Sequence, residues 1–252
     1  MTRWFLFEFM DLRWIPSSLR ATIHDTLESC LRPSPRRYYE WVAGEILNLI
    51  EQSPAAAIVE LGAGTAPITC ELAAATSGRK DISLRPSDLY PNLALYQSLE
   101  ERFPGVVQAD RRSVDFSRPV DFPPGSLLVL SATFHHIPPA ARLQVLKTLA
   151  PYRVAIFEPL RPNVASLGLS LLGFFAGLTT PVRFWNQRPG NWRRVLWCWL
   201  LPLAPAIIVW DGLVSCLRCW TEKEWKEHLA TVIGDQRPSF VKSKLVKQAV
   251  VW

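Results

Sequence analysis

Several stretches of this 252-residue chain place acids, histidines or glycines where they could do chemistry. The first is Ala57-Ile58-Val59-Glu60-Leu61-Gly62-Ala63-Gly64-Thr65-Ala66-Pro67, a partly β-branched apolar run that meets an acid and then small residues. Glycine tolerates positive φ and lets backbone approach a ligand without a Cβ in the way, so the stretch reads as a cofactor loop. In Ser87-Asp88-Leu89-Tyr90-Pro91-Asn92, Asp88 can accept hydrogen bonds from both hydroxyls of a ribose; the plainer reading is a turn residue that caps the next helix. Ala109-Asp110-Arg111 offers another acid, either at a ligand or in a solvated turn. Ser131-Ala132-Thr133-Phe134-His135-His136-Ile137-Pro138 pairs two histidines with hydroxyls and an aromatic ring, and a histidine is the side chain best suited to take a proton near neutral pH. Glu158 either lines a pocket or pairs with Arg161.

Positioning these residues takes strands that end where they begin. Ala57 to Leu61 is of strand type, and the periodicity turns helical through Ile68, Leu72 and Ala73. The pattern continues as strand Ile82–Leu84, helix Leu93–Arg102, strand Val106–Gln108, strand Leu127–Leu130, helix Ala140–Leu149 and strand Val154–Phe157. Two helices precede it, Ser17–Leu31 and Arg37–Glu51. Strands alternating with helices make a mostly parallel sheet, in which ligands sit at the carboxyl ends of the strands. Each stretch named above follows such an end. Thr221-Glu222-Lys223-Glu224 has the capping-box pattern of a last helix, and Ser239–Trp252 alternates as one or two antiparallel strands would.

Glycine spacing bears on the cofactor. The dinucleotide fingerprint G-x-G-x-x-G wants a small residue at position 67, where Pro67 fills the slot needed for close helix-to-strand packing. The pattern acid-x-G-x-G-x-G fits as Glu60, Gly62, Gly64 and Ala66, with only the last glycine replaced. This resembles motif I of the class I S-adenosylmethionine (SAM) methyltransferases, and the segment Ser131–Pro138 resembles their motif IV. The likeness covers about Arg37 to Arg161 and, more loosely, Thr221 to Trp252. It implies an α/β, Rossmann-like three-layer sandwich with a mostly parallel seven-stranded sheet, and SAM as cofactor. By the same resemblance Glu60, Gly62, Ala63 and Gly64 pass against the methionine part, Asp88 and Leu89 hold the ribose, Asp110 and Arg111 border the adenine, and Ser131 lies beside the cofactor. Phe134, His135, His136 and Glu158 would then face the acceptor, with His135 as proton acceptor. An apolar, Trp-rich chain leaves the acceptor as a hydrophobic small molecule or lipid. The competing readings are a methyltransferase fold without activity, used for membrane or partner binding, and an NAD-dependent oxidoreductase, which Pro67 and the lack of a Tyr-x-x-x-Lys set disfavour.

Hydrophobic residues make up 49% and charged residues 20%, which excludes a disordered chain. The net charge of +6 comes with scattered basic pairs, Arg36-Arg37, Arg111-Arg112 and Arg193-Arg194, rather than the basic stripe of a nucleic-acid binder. Five cysteines in mostly apolar surroundings read as reduced core residues, and no metal site is expected. Met1–Met10 lacks the long apolar run of a signal peptide, so the expectation is a cytoplasmic chain. The whole is read as a single domain: an N-terminal helical cap (1–53), a SAM-binding core (54–161), a hydrophobic insertion (162–220) and a C-terminal helix and strands (221–252). The insertion holds two apolar runs, Pro162–Val182 and Val195–Trp210, joined by a segment rich in Trp and Arg. It reads as a lid over a hydrophobic acceptor or as a device dipping into one leaflet of a membrane. Asp211, the only acid in its long apolar context, is either a substrate-site residue or a helix cap.

Overall fold

The computed structural model describes residues 6–12, 14–32, 37–76, 82–187, 189–234, 240–244 and 246–252; Met1–Phe5, Arg36, Arg188, Ser239 and Leu245 of the segments above lie outside them. In chain order the elements are α1 (Ser17–Leu31), α2 (Tyr38–Gln52), β1 (Ile58–Leu61), α3 (Pro67–Ala75), β2 (Leu84–Ser87), α4 (Leu93–Arg102), β3 (Leu127–Ser131), α5 (Pro139–Leu149) and β4 (Arg153–Glu158). They continue as α6 (Val164–Leu178), α7 (Thr180–Arg183), α8 (Asn191–Val195), α9 (Leu203–Arg218), α10 (Glu222–Ile233), β5 (Phe240–Ser243) and β6 (Gln248–Val251). The chain folds into two compact units, a sheet unit of residues 39–159 and 221–252 and a helical unit of residues 1–38 and 160–220. The expected 1–53 cap is thus divided: α1 belongs with the insertion and α2 with the sheet.

In the sheet unit the strand order is β2-β1-β3-β4-β6-β5. The first four run parallel, and β6 and β5 return antiparallel along β4. All four residues of β1 are buried, as are the first four of β3, which is why β3 reads as a continuous apolar run and β1 as one broken only by Glu60: helices cover both faces of a parallel sheet. Pro67 starts α3 where a missing N–H costs nothing, Asn92 caps α4 by accepting from the Leu95 N–H, and Thr221 with Glu224 closes both bonds of a capping box on α10.

The sheet is mixed and six-stranded, not mostly parallel and seven-stranded. The expected strand at Val106–Gln108 does run along the outer edge of β2, and the Leu84 N–H donates to Val106 O, Gln108 N–H to Leu84 O and Asp110 N–H to Pro86 O. Pro86, however, has no N–H to return, so the ladder breaks after one bridge at Leu84–Val107 and resumes only at Asp88–Ser113. Sequence periodicity also set β2 early: its paired residues begin at Leu84, not Ile82.

In the helical unit α1, α6 and α9 pack together around Ile23, Cys30, Cys198, Ala204, Ile207 and Ile208. Its interior is also rich in ionic contacts. The Asp25 carboxylate accepts from Arg194 at 2.8 Å and pairs with Arg193 at 2.9 Å, and the buried Arg218 pairs with Glu8 and Asp11 at 3.1 and 3.0 Å. Cys30, Cys198, Cys216 and Cys219 are buried.

Candidate functional site

The carboxyl ends of β1, β2, β3 and β4 carry most of the residues that the sequence singles out. Gly62 and Gly64 follow β1 with φ of +66° and +54°, in the left-handed region that favours glycine, and Ala66 adopts the same region at +49° as the N-cap of α3. Ala66 therefore does at some steric cost what a third glycine would do freely. Two side chains hold the turn. The Glu60 carboxylate accepts from the Ile68 and Thr69 N–H groups at 3.3 and 2.8 Å and from the Thr69 hydroxyl at 2.7 Å, so it satisfies the start of α3 from beneath. Burial pushes this carboxyl up to about 7, against the pull of those three hydrogen bonds. Asp88, just past β2 and half-buried, accepts from the Gly64 N–H at 2.8 Å through one oxygen and from the Tyr90 N–H at 2.7 Å through the other. Its role as a turn-holding acid and its position at the glycine loop are thus the same fact.

The two glycines differ in what surrounds them. A Cβ on Gly62 would stand 2.6 Å from Thr133 Cγ2, so the loop lies flat against the turn after β3. A Cβ on Gly64 would meet nothing within 4 Å. Beside the Asp88 carboxylate, then, the backbone borders open space, with the Leu89 and Tyr90 side chains exposed next to it.

After β3 the chain turns through Ala132, also left-handed at φ +53°, and Thr133 donates to Ser131 O at 2.9 Å. His135 and Glu158 come together here. Glu158 accepts the His135 N–H through one oxygen at 3.1 Å, and its other oxygen lies 2.6 Å from His135 Nδ1. Both side chains are buried. Glu158 thus engages the ring at Nδ1, and the other ring nitrogen, Nε2, is the one a proton acceptor would use. His136 stacks on His135 with ring centres 4.3 Å apart, and Phe134 packs on Trp225 at 4.6 Å.

Other expected residues are engaged differently. Asp110 is gripped by Arg112 through Nε and Nη2 at 3.0 and 2.7 Å, which holds its carboxyl below the usual range, and Arg111 pairs with Glu100. Asp211 lies within α9 rather than at a helix start, and its two oxygens accept from the Phe9 and Met10 N–H groups. That carboxylate caps the 3₁₀ turn Phe9–Asp11 instead of starting its own helix.

Arg142 is the functional-looking residue that the motifs leave out. Fully buried, it donates from Nε to Ile137 O and from Nη2 to His135 O, at 2.9 and 3.0 Å, and so fixes the turn that carries the histidines. Its signal was a lone charge on the stripe Arg142, Val145, Leu146, Leu149 of α5, all four buried. Tyr96, buried in α4, is a second: burial first, then the fields of Asp88, Glu60 and Asp110, push its phenol up.

No family model matches the sequence, and no curated protein sequence matches it. Solved structures do. The plantazolicin methyltransferase BpumL in complex with SAH superposes with a TM-score of 0.55 at 10% identity, over 96% of this chain and 93% of that one. The CurJ carbon methyltransferase gives 0.55 at 11% identity over 95% of this chain, and the citrinin polyketide synthase CMeT domain 0.52 at 10% over 85%. This chain spans 61% and 51% of the length of those last two. At such identities the likeness is one of fold, and the fold is that of the class I methyltransferases.

Proposed function

We propose that this chain is a SAM-dependent methyltransferase that transfers the methyl group to an oxygen of a hydrophobic small molecule or lipid-like acceptor. The observation that carries the reading is the open space over Gly64 beside the Asp88 carboxylate, in a turn whose left-handed backbone is held from beneath by Glu60. When bound, SAM supplies a methyl group already activated by a sulfonium, so the protein's work is to position and to exclude water. Gly62, Ala63 and Gly64 would offer backbone to the methionine part, and Asp88, with spare lone pairs on both oxygens, would take the ribose. Leu89 would cover the nucleoside, Asp110 and Arg111 would border the adenine, and Ser131 would lie beside the cofactor.

At the acceptor the chemistry rests on His135. A hydroxyl must lose its proton as the new carbon–oxygen bond forms; Nε2 takes it, and the Glu158 carboxylate on Nδ1 stabilises the imidazolium that results. Phe134 and His136 would pack against the acceptor. The hydrophobic content of the chain, 49%, supports a hydrophobic acceptor.

A second reading has its own support. The carboxylates of Asp88 and Asp110 already hold hydrogen bonds within the protein, as they would in a methyltransferase fold that has lost its cofactor. Calorimetric titration with SAM separates the two. Saturable binding, weakened about tenfold or more in Asp88→Ala by loss of a charge-assisted bond, supports the enzyme; no binding to the wild-type chain refutes it. A screen of hydroxylated hydrophobic acceptors then tests the transfer itself.

A further inference from the structure

Helix α6 is built inside out. Its buried stripe is Ser166, Ser170, Gly173 and Gly177, while Val164, Leu171, Leu172 and Phe175 are exposed, Val164 at 83% and Phe175 at 65%. A helix that borders water does the reverse, burying its large apolar residues and exposing its small polar ones. Small residues on the inner face let α6 and α9 approach backbone to backbone: a Cβ on Gly177 would sit 3.0 Å from Pro205 Cα, and one on Gly212 would sit 3.0 Å from the Ser170 hydroxyl. Close approach through small residues, with large apolar ones turned outward, is how helices pack where the surroundings are hydrocarbon. Helix α9 shares the pattern in part: it exposes Leu203, Trp210 and Leu217 and buries Asp211, Ser215 and Arg218, while Ile207, Ile208 and Val214 fill its inner face.

The rest of the helical unit agrees. Among the described residues it holds fifteen of the twenty exposed large hydrophobic side chains, including the consecutive Trp199, Leu200 and Leu201. Eight of the eleven tryptophans of the chain fall in it. Its charge is also distinct: twelve arginines and no lysine against five acids, where the sheet unit has sixteen Lys and Arg against seventeen acids. The net positive charge of the protein therefore belongs to the unit that carries the apolar surface. Trp and Arg are the side chains that tolerate headgroup depth, one by its amphipathic ring and the other by reaching back to water. Among the described residues no single helix is long and apolar enough to cross a membrane, and Asn191–Leu200 meets Leu203–Arg218 at a bend of 72°. The 15 residues of α6 rise only about 22 Å, short of the ~30 Å hydrocarbon core.

We infer that the helical unit is a monotopic membrane module, which embeds the outer faces of α6 and α9 and the Trp199–Leu203 tip in one leaflet of a bilayer rich in anionic lipid. An apolar recess of about 370 Å³ within the same unit, lined by Trp14, Leu19, Leu203, Ala206, Ile207 and Trp210, opens along the exposed stripe of α9 and has the lining to accept an acyl chain. The inference does not depend on methyl transfer and stands or falls without SAM.

The test is flotation of the full chain with vesicles of phosphatidylcholine alone or with added phosphatidylserine, with tryptophan fluorescence read against lipids brominated at set depths. Expected are flotation strengthened by phosphatidylserine and weakened by salt, a blue-shifted emission, and quenching by shallow bromines. Replacing Leu171, Leu172 and Phe175 together by Gln should cut partitioning about tenfold or more, since three large apolar side chains leave the leaflet. Trp199→Ser with Leu200→Ser should do the same from the tip. All five positions are exposed, so unchanged circular dichroism is the control for folding. No flotation with either vesicle, or flotation of both variants equal to that of the wild type, overturns the inference. So does a wild-type dimer that the Gln variant converts to monomer, because a second copy would then be what covers this face.

Discussion

Adding one methyl group at Gly64 and one at Gly62 separates the loop's role in binding from its role in folding. Alanine at either position pays the left-handed backbone cost, about 1–2 kcal/mol, less about 0.4–1 kcal/mol returned by a stiffer unfolded chain. For Gly64→Ala that is the whole effect, because the new Cβ meets nothing within 4 Å. The net loss of about 1 kcal/mol corresponds to a fall in Tm of about 2–4 °C for a protein of this size. Gly62→Ala adds a Cβ 2.6 Å from Thr133 Cγ2, and forcing that contact apart costs about 1–3 kcal/mol more. Thr133→Ser removes the offending methyl while keeping the hydroxyl that bonds Ser131 O, so it should restore most of the excess in the double variant. Binding should rank the opposite way. If the space over Gly64 is the cofactor's, the Gly64→Ala methyl lies in it and weakens SAM by about 10-fold to 100-fold, roughly 1.4–2.8 kcal/mol, in a protein that is nearly as stable as wild type. Thermal melting followed by circular dichroism and calorimetric titration with SAM read the two quantities independently. Unchanged SAM affinity in Gly64→Ala refutes the placement of the cofactor, and a Gly62→Ala Tm equal to that of Gly64→Ala refutes the packing argument.

Two further predictions concern ionisable groups. Glu60 has a folded pKa near 7 against 4.5 for the free side chain, so the folded protein keeps a proton that the unfolded chain has lost between those values. Its contribution is full below about pH 4.5 and is lost as pH rises through about 7, some 3 kcal/mol in all. Glu60→Gln should remove that part of the pH dependence in urea unfolding, and an identical slope in the variant would refute it. At the dyad, His135→Gln and Glu158→Gln should each lower turnover about 100-fold or more with SAM affinity unchanged, and the double variant should be no worse than either single. Turnover that survives either change removes the pair from the mechanism.

What the sequence made legible was local. The apolar run Ala57–Leu61, the glycines after it and the capping box at Thr221 each carry their own instructions within a few residues, and each formed as read. What stayed hidden depends on register between strands. Ser131 sits opposite Phe157, and that alignment alone brings His135 to Glu158, 23 residues away; nothing nearer in sequence marks them as partners. The lost seventh strand is of the same kind. Val106–Gln108 has strand character of its own, but its neighbour offers Pro86 at the point where a donor is required.

Helix α6 shows the limit most clearly. Its sequence announces an apolar helix, yet periodicity names two faces without saying which one turns inward. With hydroxyls and glycines at 166, 170, 173 and 177, one face is small and polar and the opposite one large and apolar, and in water the second must be buried. The fold buries the first. Inside the unit the Ser166 hydroxyl accepts from the Arg161 N–H and the Ser170 hydroxyl donates to the Ser166 carbonyl, while Gly173 and Gly177 make room for Ile208 and Pro205. Packing of that kind leaves the large apolar face in need of a cover, and hydrocarbon is a surrounding in which exposing it costs nothing. The orientation of α6, more than the length of any helix, is the reason to look for this chain at a membrane.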